Sequence, residues 1–380
     1  MSKRVLISGA SIAGPALAHC LAGYGFEVAV VERAPHLRPG GQAVDIRGVG
    51  KDVIRRIGLD AQIRAAMTDT KGMGVVDRDG IEIDRIMADE HGGDGAVAEI
   101  EILRGELAKV FYEATQDRVE YRFGDHITSL TETSAGMDVG FASGHREVFD
   151  MVIGADGLNS GVRSLAFEAP DCIRDLGLLV ALATVPNKLG LDNWWLVHTD
   201  GVRTTGIRSV RGNAEAITHL GFPGDRSDFD RGDVAGQKAL VRKRMGDMGW
   251  ETPWLLDQLD TAKDFYFDSI SQVYLPSWST GRVALLGDAA YCPAATSGQG
   301  TNLAIIGAYV LAGELAKADG DHTIAFPAYE RVLRDFVEGN QKMGADNARS
   351  FLEDSEHRME HMDFDEMNTI MNNIDLPHYA

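Results

Sequence analysis

The turn Gly9-Ala10-Ser11-Ile12-Ala13-Gly14 constrains this chain more than any other segment. An apolar strand over residues 5–8 runs into it, and a helical pattern over 14–24 leaves it. Residues 27–31 read as a second strand. That order predicts a βαβ unit and therefore a parallel sheet. Gly9 permits the tight turn, and Gly14 lets the helix pack close to the sheet. The N–H groups at the helix start, including those near Ile12 and Ala13, then face a pyrophosphate with help from the helix dipole. Ser11 stands where a glycine is usual; its hydroxyl can donate to a phosphate oxygen. Glu32 ends the second strand eighteen residues beyond Gly14, where an acid binds a ribose diol and repels a 2′-phosphate. Arg33 follows it. Turn and acid together predict dinucleotide binding, with NAD and FAD both open.

The rest of the chain is read around this unit. Residues 35–50 are rich in Gly and Pro and read as loop, and 49–67 as helix. The text turns β-like between 72 and 103, and a helix over 104–116 opens at Arg104. Strand signals follow at 119–123, 126–132, 137–142 and 147–153. Alternation over 177–222 predicts antiparallel strands with one covered face. Helical patterns cover 234–249, 253–259, 300–318 and 325–358, and residues 283–286 read as a strand. The last twenty residues are polar and Met-rich, and read as a short terminal helix or a loose tail.

The net charge of −20 gives no electrostatic reason to bind nucleic acid or an anionic membrane. No stretch approaches the roughly 18 apolar residues of a membrane helix. Cys20, Cys172 and Cys292 lie far apart and form no metal spacing, so no metal is expected and a reducing cytoplasm suits the chain.

Two more strand-to-turn motifs carry chemistry. Asp150-Met-Val-Ile-Gly154-Ala155-Asp156-Gly157 leads through Ser160 to Arg163 at a helix start. Arg282-Val-Ala-Leu-Leu-Gly287-Asp288-Ala289-Ala290 is followed by Tyr291, Pro293 and Ser297-Gly298-Gln299-Gly300-Thr301-Asn302. An aspartate at 288 can accept hydrogen bonds from ribityl hydroxyls. A helix N-terminus at 300–302 can stabilise charge on a reduced flavin ring. This second Gly-Asp turn tips the choice toward FAD.

With these three motifs in this order, the chain resembles the class A flavoprotein monooxygenases of the aromatic hydroxylase type, over about residues 3 to 340. The segment Gly40-Gly41-Gln42-Ala43-Val44-Asp45 is most similar to the tetracycline-inactivating group. The resemblance implies an α/β fold: a Rossmann-like parallel FAD-binding sheet interleaved with a β-rich substrate domain and a C-terminal helix. Expected boundaries are 1–70, 100–175 and 278–340 for the FAD domain. The substrate domain takes 71–99 and 176–277, and a helical segment 341–380.

The resemblance also implies roles. Arg104 reaches the FAD and Asp45 lies beside the flavin. Asp288 binds the ribityl chain, Pro293 with 298–302 lines the ring, and Arg38 lies near the nicotinamide cofactor. NADPH or NADH reduces FAD, and O2 then gives a C(4a)-hydroperoxide that hydroxylates an aromatic or polyketide-like small molecule. The flavin carries the chemistry, so no catalytic side chain is assigned. Substrate is expected between 298–302 and the sheet around 180–222.

Other readings stay open. Asp156 fits a ligand or a turn-stabiliser, and Asp288 also fits a plain helix N-cap. Trp194, Trp195, His198 and His219 fit core positions on strand faces. Cys292, without a nearby base, reads as structural. Another FAD oxidoreductase (oxidase, reductase or halogenase) and a non-catalytic flavin-binding protein are the alternatives.

Overall fold

A computed structural model describes residues 3–88, 95, 97–353 and 364–379. It opens with β1 (Arg4–Ser8), α1 (Ala13–Gly23) and β2 (Glu27–Glu32). Then come β3 (Ala43–Ile46), α2 (Val49–Arg56) and α3 (Asp60–Arg64). They are followed by β4 (Gly72–Val76), β5 (Glu82–Met87), β6 (Ile100–Leu103) and α4 (Arg104–Glu113). Next are β7 (Glu120–Phe123), β8 (Ile127–Thr133), β9 (Gly136–Phe141) and β10 (Arg146–Phe149). β11 (Met151–Gly154) and α5 (Gly161–Ala166) lead to β12 (Ile173–Pro186). The antiparallel run continues with β13 (Trp194–Asp200), β14 (Arg203–Val210) and β15 (Glu215–Pro223). α6 (Val234–Met245) and α7 (Thr252–Thr261) precede β16 (Tyr266–Val273), β17 (Ser279–Thr280) and β18 (Val283–Leu285). The short α8 (Asp288–Tyr291), then α9 (Gly300–Lys317), α10 (His322–Glu353) and α11 (Phe364–Asn372), complete the chain.

The first sheet has the order β17-β18-β11-β1-β2-β7. β1 lies at its centre, parallel to β2 and β11, and β18 extends the parallel set. Val5, Leu6 and Ile7 are fully buried, as expected of a strand covered on both faces. Helices α1 and α9 pack against each other on the sheet. Met137, Val139, Phe141 and Phe149 of the small β8–β10 sheet join the same core. The second sheet runs β16-β12-β15-β14-β13-β4-β5. One face carries Leu179, Ala181, Ile207, Leu220 and Phe222 against Val241 and Met245 of α6 and Leu255 of α7. The alternate residues point the other way, toward the first sheet's connections.

The α/β architecture with its parallel sheet and C-terminal helix agrees with the expectation from sequence. Several local readings do not. The expected loop over 35–50 contains β3, because residues 43–46 pair with β6 through Ala43↔Leu103 and Asp45↔Glu101. The expected helix over 49–67 is two helices, broken where Gly58 takes a positive φ of 77°. The expected strand over 147–153 is two strands in different sheets, parted at Asp150. Asp150 there accepts from the backbone N–H of Arg4 at 2.8 Å. β16 was not foreseen; it pairs antiparallel with β12 across a register shift. Within the last twenty residues, α11 packs on α10 and the stretch to 379 packs on α9. The Tyr379 hydroxyl donates to Glu314 at 2.8 Å, and the Tyr309 hydroxyl donates to the Pro377 carbonyl at 3.1 Å.

Candidate functional site

The glycine turn has the geometry its sequence demands. Gly9 has φ 108° and donates its N–H to the Val31 carbonyl at 2.8 Å. A Cβ on Gly14 would land on the Gly9 carbonyl oxygen, so only glycine lets α1 start so close to β1. Ile12 and Ala13 are buried at the helix start, where no side chain caps the N-terminus. Glu32 holds the turn from the neighbouring strand. Its carboxylate accepts from the N–H of Ala10 at 2.8 Å and of Ala34 at 2.9 Å.

Arg104 starts α4, yet its side chain reaches back to this turn. The guanidinium donates to Ser11 Oγ at 3.2 Å and to the Gly40 carbonyl at 3.2 Å. Gly41, at φ 92°, lies so close that a Cβ would sit 2.6 Å from Arg104 Nε. Burial lowers the Arg104 pKa, and nearby Arg38 adds to that. Among the described residues the hydrogen-bond partners of Arg104 are all neutral oxygens. A recessed cation beside an uncapped helix N-terminus is the donor set a pyrophosphate would complete. Arg33 and Arg38 are exposed, with no side-chain partner among the described residues.

The second motif is spent inside the protein. Asp156 accepts from Ser160 Oγ at 2.5 Å, Gly161 N at 2.9 Å and Val162 N at 3.1 Å, which fastens the start of α5. This arrangement is the turn-stabilising alternative. Arg163, buried, links α5 to the third motif by donating to the Ala289 carbonyl at 2.8 Å.

At the third motif, Gly287 is the residue before α8, with φ 63°, and Asp288 is the first helical residue. Asp288 is therefore not a plain helix N-cap. Burial pushes its carboxyl above the usual carboxylate range, with the Cys292 thiol bonded to it as the opposing influence. The same burial, with Asp288, holds the Cys292 thiol well above its ordinary pKa, so it stays protonated. Asp288 thus keeps acceptor capacity that no backbone N–H uses among the described residues. Its Oδ1 lies 3.7 Å from where a Gly300 Cβ would stand. Tyr266 of β16 faces the same recess. It is 48% exposed, yet surrounding protein and the carboxylates of Asp268 and Asp288 raise its phenol well above the usual value.

The loop between α8 and α9 is held from several sides. Gln272 Nε2 donates to the Pro293 carbonyl at 2.9 Å. Ala294 takes φ 72° and ψ 155°, a region in which L residues are strained, and Gly298 takes φ 64°. Gln299 donates to Met371 of α11 at 2.7 Å and accepts from Asn302 at 3.0 Å. Asn302 Oδ1 accepts from the Arg47 backbone N–H at 3.0 Å. Arg47 in turn bonds Asp45 at 2.8 Å, which brings Asp45 to the start of α9. Gly300 and Thr301 open that eighteen-residue helix, with no acid in its first turn and no side-chain cap.

The second sheet supplies the facing wall. Trp194 and His198 point to the helix-covered face: Trp194 packs on that core, and His198 meets the Trp250 ring at 6.3 Å. Trp195 points the other way, as do Arg208 and His219. Arg208 stacks on Trp195 at 4.2 Å, and His219 lies edge-on to the same ring at 5.7 Å. Among the described residues no group of side chains could hold a metal ion, and no helix is long and apolar enough to cross a membrane.

Known proteins are similar to this chain in sequence and fold. A family profile described as an FAD binding domain matches residues 2–322. An uncharacterised protein of Mycobacterium tuberculosis is 44% identical over 347 residues, covering 91% of this chain and 93% of that protein. A flavin-dependent monooxygenase of Legionella longbeachae is 38% identical over 358 residues, covering 93% and 91%. The crystal structure of the tetracycline destructase Tet(51) superposes with a TM-score of 0.88 at 36% identity, covering 100% of both chains.

Proposed function

Because the chain belongs to the FAD-binding-domain family of flavin-dependent monooxygenases, we propose that it takes electrons from NADPH or NADH and hydroxylates a small aromatic or polyketide-like molecule with O2. FAD is its cofactor. When bound, FAD supplies the redox and oxygen chemistry, and the chain supplies position and shelter.

The observation that carries the site assignment is Arg104. It is a recessed cation bonded, among the described residues, only to neutral oxygens, beside the start of α1. The turn from Gly9 to Gly14 and Ser11 would hold the pyrophosphate there, and Glu32 the ribose. Asp288 would accept from the ribityl hydroxyls. Residues 298–302, with Pro293, would line the ring, and the open N-terminus of α9 would favour negative charge on it. Asp45 lies beside that helix start through Arg47 and Asn302. Arg38, exposed and electrostatically felt by Arg104, would meet the phosphates of the nicotinamide donor. Substrate would occupy the space between 298–302 and the Trp195–Arg208–His219 face. The residues contributing to the first sheet would form the FAD domain and those of the second sheet the substrate domain.

The similarity to Tet(51) puts tetracycline-type polyketides among the substrates to try. The test is NADPH and NADH oxidation in air by the purified yellow protein, with aromatics and tetracycline added singly. Substrate-stimulated oxidation, with one atom from labelled O2 in the product, is expected. Oxidation that yields only peroxide with every compound would count against hydroxylation of this class.

A further inference from the structure

The recess face of the second sheet is apolar at its margins and polar at its centre. Val210 and Ile217 meet Leu103 and Ala43 on one side. Leu178 and Ile270 meet Ala294 and Ala348 on another. Met73 and Val197 meet Val97 on a third. Between these clusters stand Trp195, Arg208 and His219. Trp195 and Arg208 are direct cross-strand partners on β13 and β14, and His219 on β15 is diagonal to Arg208, opposite Gly206.

Arg208 is fixed before any ligand arrives. It pairs with Glu101, whose side chain is 3% exposed and also accepts from Thr68 Oγ1 and Thr70 Oγ1, each at 2.6 Å. The Trp195 ring supports its flat face. One guanidinium nitrogen is used by Glu101. The others have no hydrogen-bond partner among the described residues, and the side chain as a whole is 15% exposed. His219 resembles Arg208 in this. Neither ring nitrogen has a hydrogen-bond partner among the described residues. Gly206 makes room for the imidazole, since a Cβ there would collide with His219 Cε1. Burial, and then Arg208, lower the His219 pKa to about 4, so the ring is neutral near pH 7 and presents one acceptor and one donor.

The local charge is balanced. Glu101 and Asp45 face each other across β6 and β3, and each carboxylate has its own arginine, Arg208 and Arg47. A balanced site of this kind suits an uncharged hydroxyl better than a carboxylate. We propose that Arg208 and His219 are the specificity-determining pair of this protein and select an aromatic or enolic substrate by an acidic hydroxyl group. The hydroxyl donates to a ring nitrogen of His219, and its oxygen accepts from Arg208. Glu101 is the positioning residue behind Arg208. This assignment rests on the flavin monooxygenase reading, since it takes the recess to be the substrate site.

The test uses the FAD-loaded protein and one pair of probes, 2-naphthol and 2-methoxynaphthalene. These differ only in the hydroxyl. Binding is read from the change in the flavin absorption spectrum, and FAD content is measured for every variant. The wild type should bind the naphthol at least about tenfold tighter than its methyl ether. His219→Phe should remove most of that preference, leaving the ether's affinity and the FAD content unchanged. Arg208→Ala strands the buried Glu101 carboxylate and endangers the fold. The double variant Glu101→Gln/Arg208→Met removes both charges and should also lose the preference. Equal binding of the two probes by the wild type, binding of neither, or an undiminished preference in His219→Phe and the double variant overturns the proposal. A wild-type protein that takes up no FAD overturns the underlying flavin reading instead.

Discussion

The backbone N–H of Arg47 donates to Asn302 Oδ1 at 3.0 Å, across 255 residues of sequence. It joins the end of β3, with Asp45, to the first turn of α9. Both groups are buried. Asn302→Ala would leave the Arg47 N–H without a partner, at a cost of about 1–3 kcal/mol. Chemical denaturation of the holo-protein should show the midpoint fall accordingly. An unchanged midpoint would mean that water or a shifted loop replaces the bond.

Among the described residues Arg104 has no carboxylate partner to lose, so its removal should tell on the ligand more than on the fold. Arg104→Ala is expected to weaken FAD binding about 10- to 100-fold, as for loss of a charge-assisted hydrogen bond. Titrating apo-protein with FAD and following flavin fluorescence measures it. Wild-type affinity in this variant would remove Arg104 from the cofactor site.

Gly14→Ala places a methyl group on the Gly9 carbonyl oxygen. Backbone is on both sides of the clash, so α1 must move off β1. Little soluble, flavin-bearing protein is expected on expression. A yellow Gly14→Ala protein of normal stability would show that the helix start is not so tightly set.

Glu147 of β10 links two arginines of the first sheet, Arg4 of β1 and Arg122 of the edge strand β7. Burial alone would raise its pKa, but bonds to Arg122 and Arg4 outweigh that and lower it from 4.5 to about 2. The folded pKa is below the unfolded one. The stabilisation is therefore full above pH 4.5 and is lost as pH falls toward 2. The side chain is 20% exposed, so solvent screening leaves about 1–2 kcal/mol. Glu147→Gln should flatten the stability curve in that window, as read from urea midpoints at several pH values. A curve as steep as the wild type's would assign the acid sensitivity to other carboxylates.

Gly206→Ala drives the His219 ring from its place while leaving the cofactor residues alone. FAD content should be normal, and discrimination between the two naphthalene probes should fall. If discrimination survives, the imidazole is not positioned by the gap at Gly206.

The local elements with strong periodicity were readable in advance. β1, the Gly9–Gly14 turn, α1 and β2 follow from short-range rules, because strand, glycines and helix are contiguous. The same holds for α9 and for the antiparallel alternation of β12 to β15. β3 and β16 were hidden. Each owes its strand state to a distant partner, β6 for one and β12 for the other, and not to its own pattern. Asp156 and Asp288 looked alike in sequence, each at the end of a strand beside a glycine. Their difference is tertiary: the hydroxyl of Ser160 and the N–H groups of the α5 start occupy Asp156, whereas the start of α8 gives Asp288 no such donors.

By itself, the sequence determined a βαβ unit of the kind that suits a dinucleotide, and the three motifs in order pointed to FAD. That is possible because the chemistry of a tight turn, a helix N-terminus and an acid at fixed spacing is local. Which way Trp194 and Trp195 point was decided only by pairing with β14 and by α6 and α7 covering one face. Arg208 acquired its place from Glu101, over a hundred residues earlier, and Arg104 from Ser11 and Gly40. Such placements depend on which buried charges find partners after the sheets come together. No periodicity encodes that, because the energy lies in long-range desolvation and pairing, not in local backbone preference.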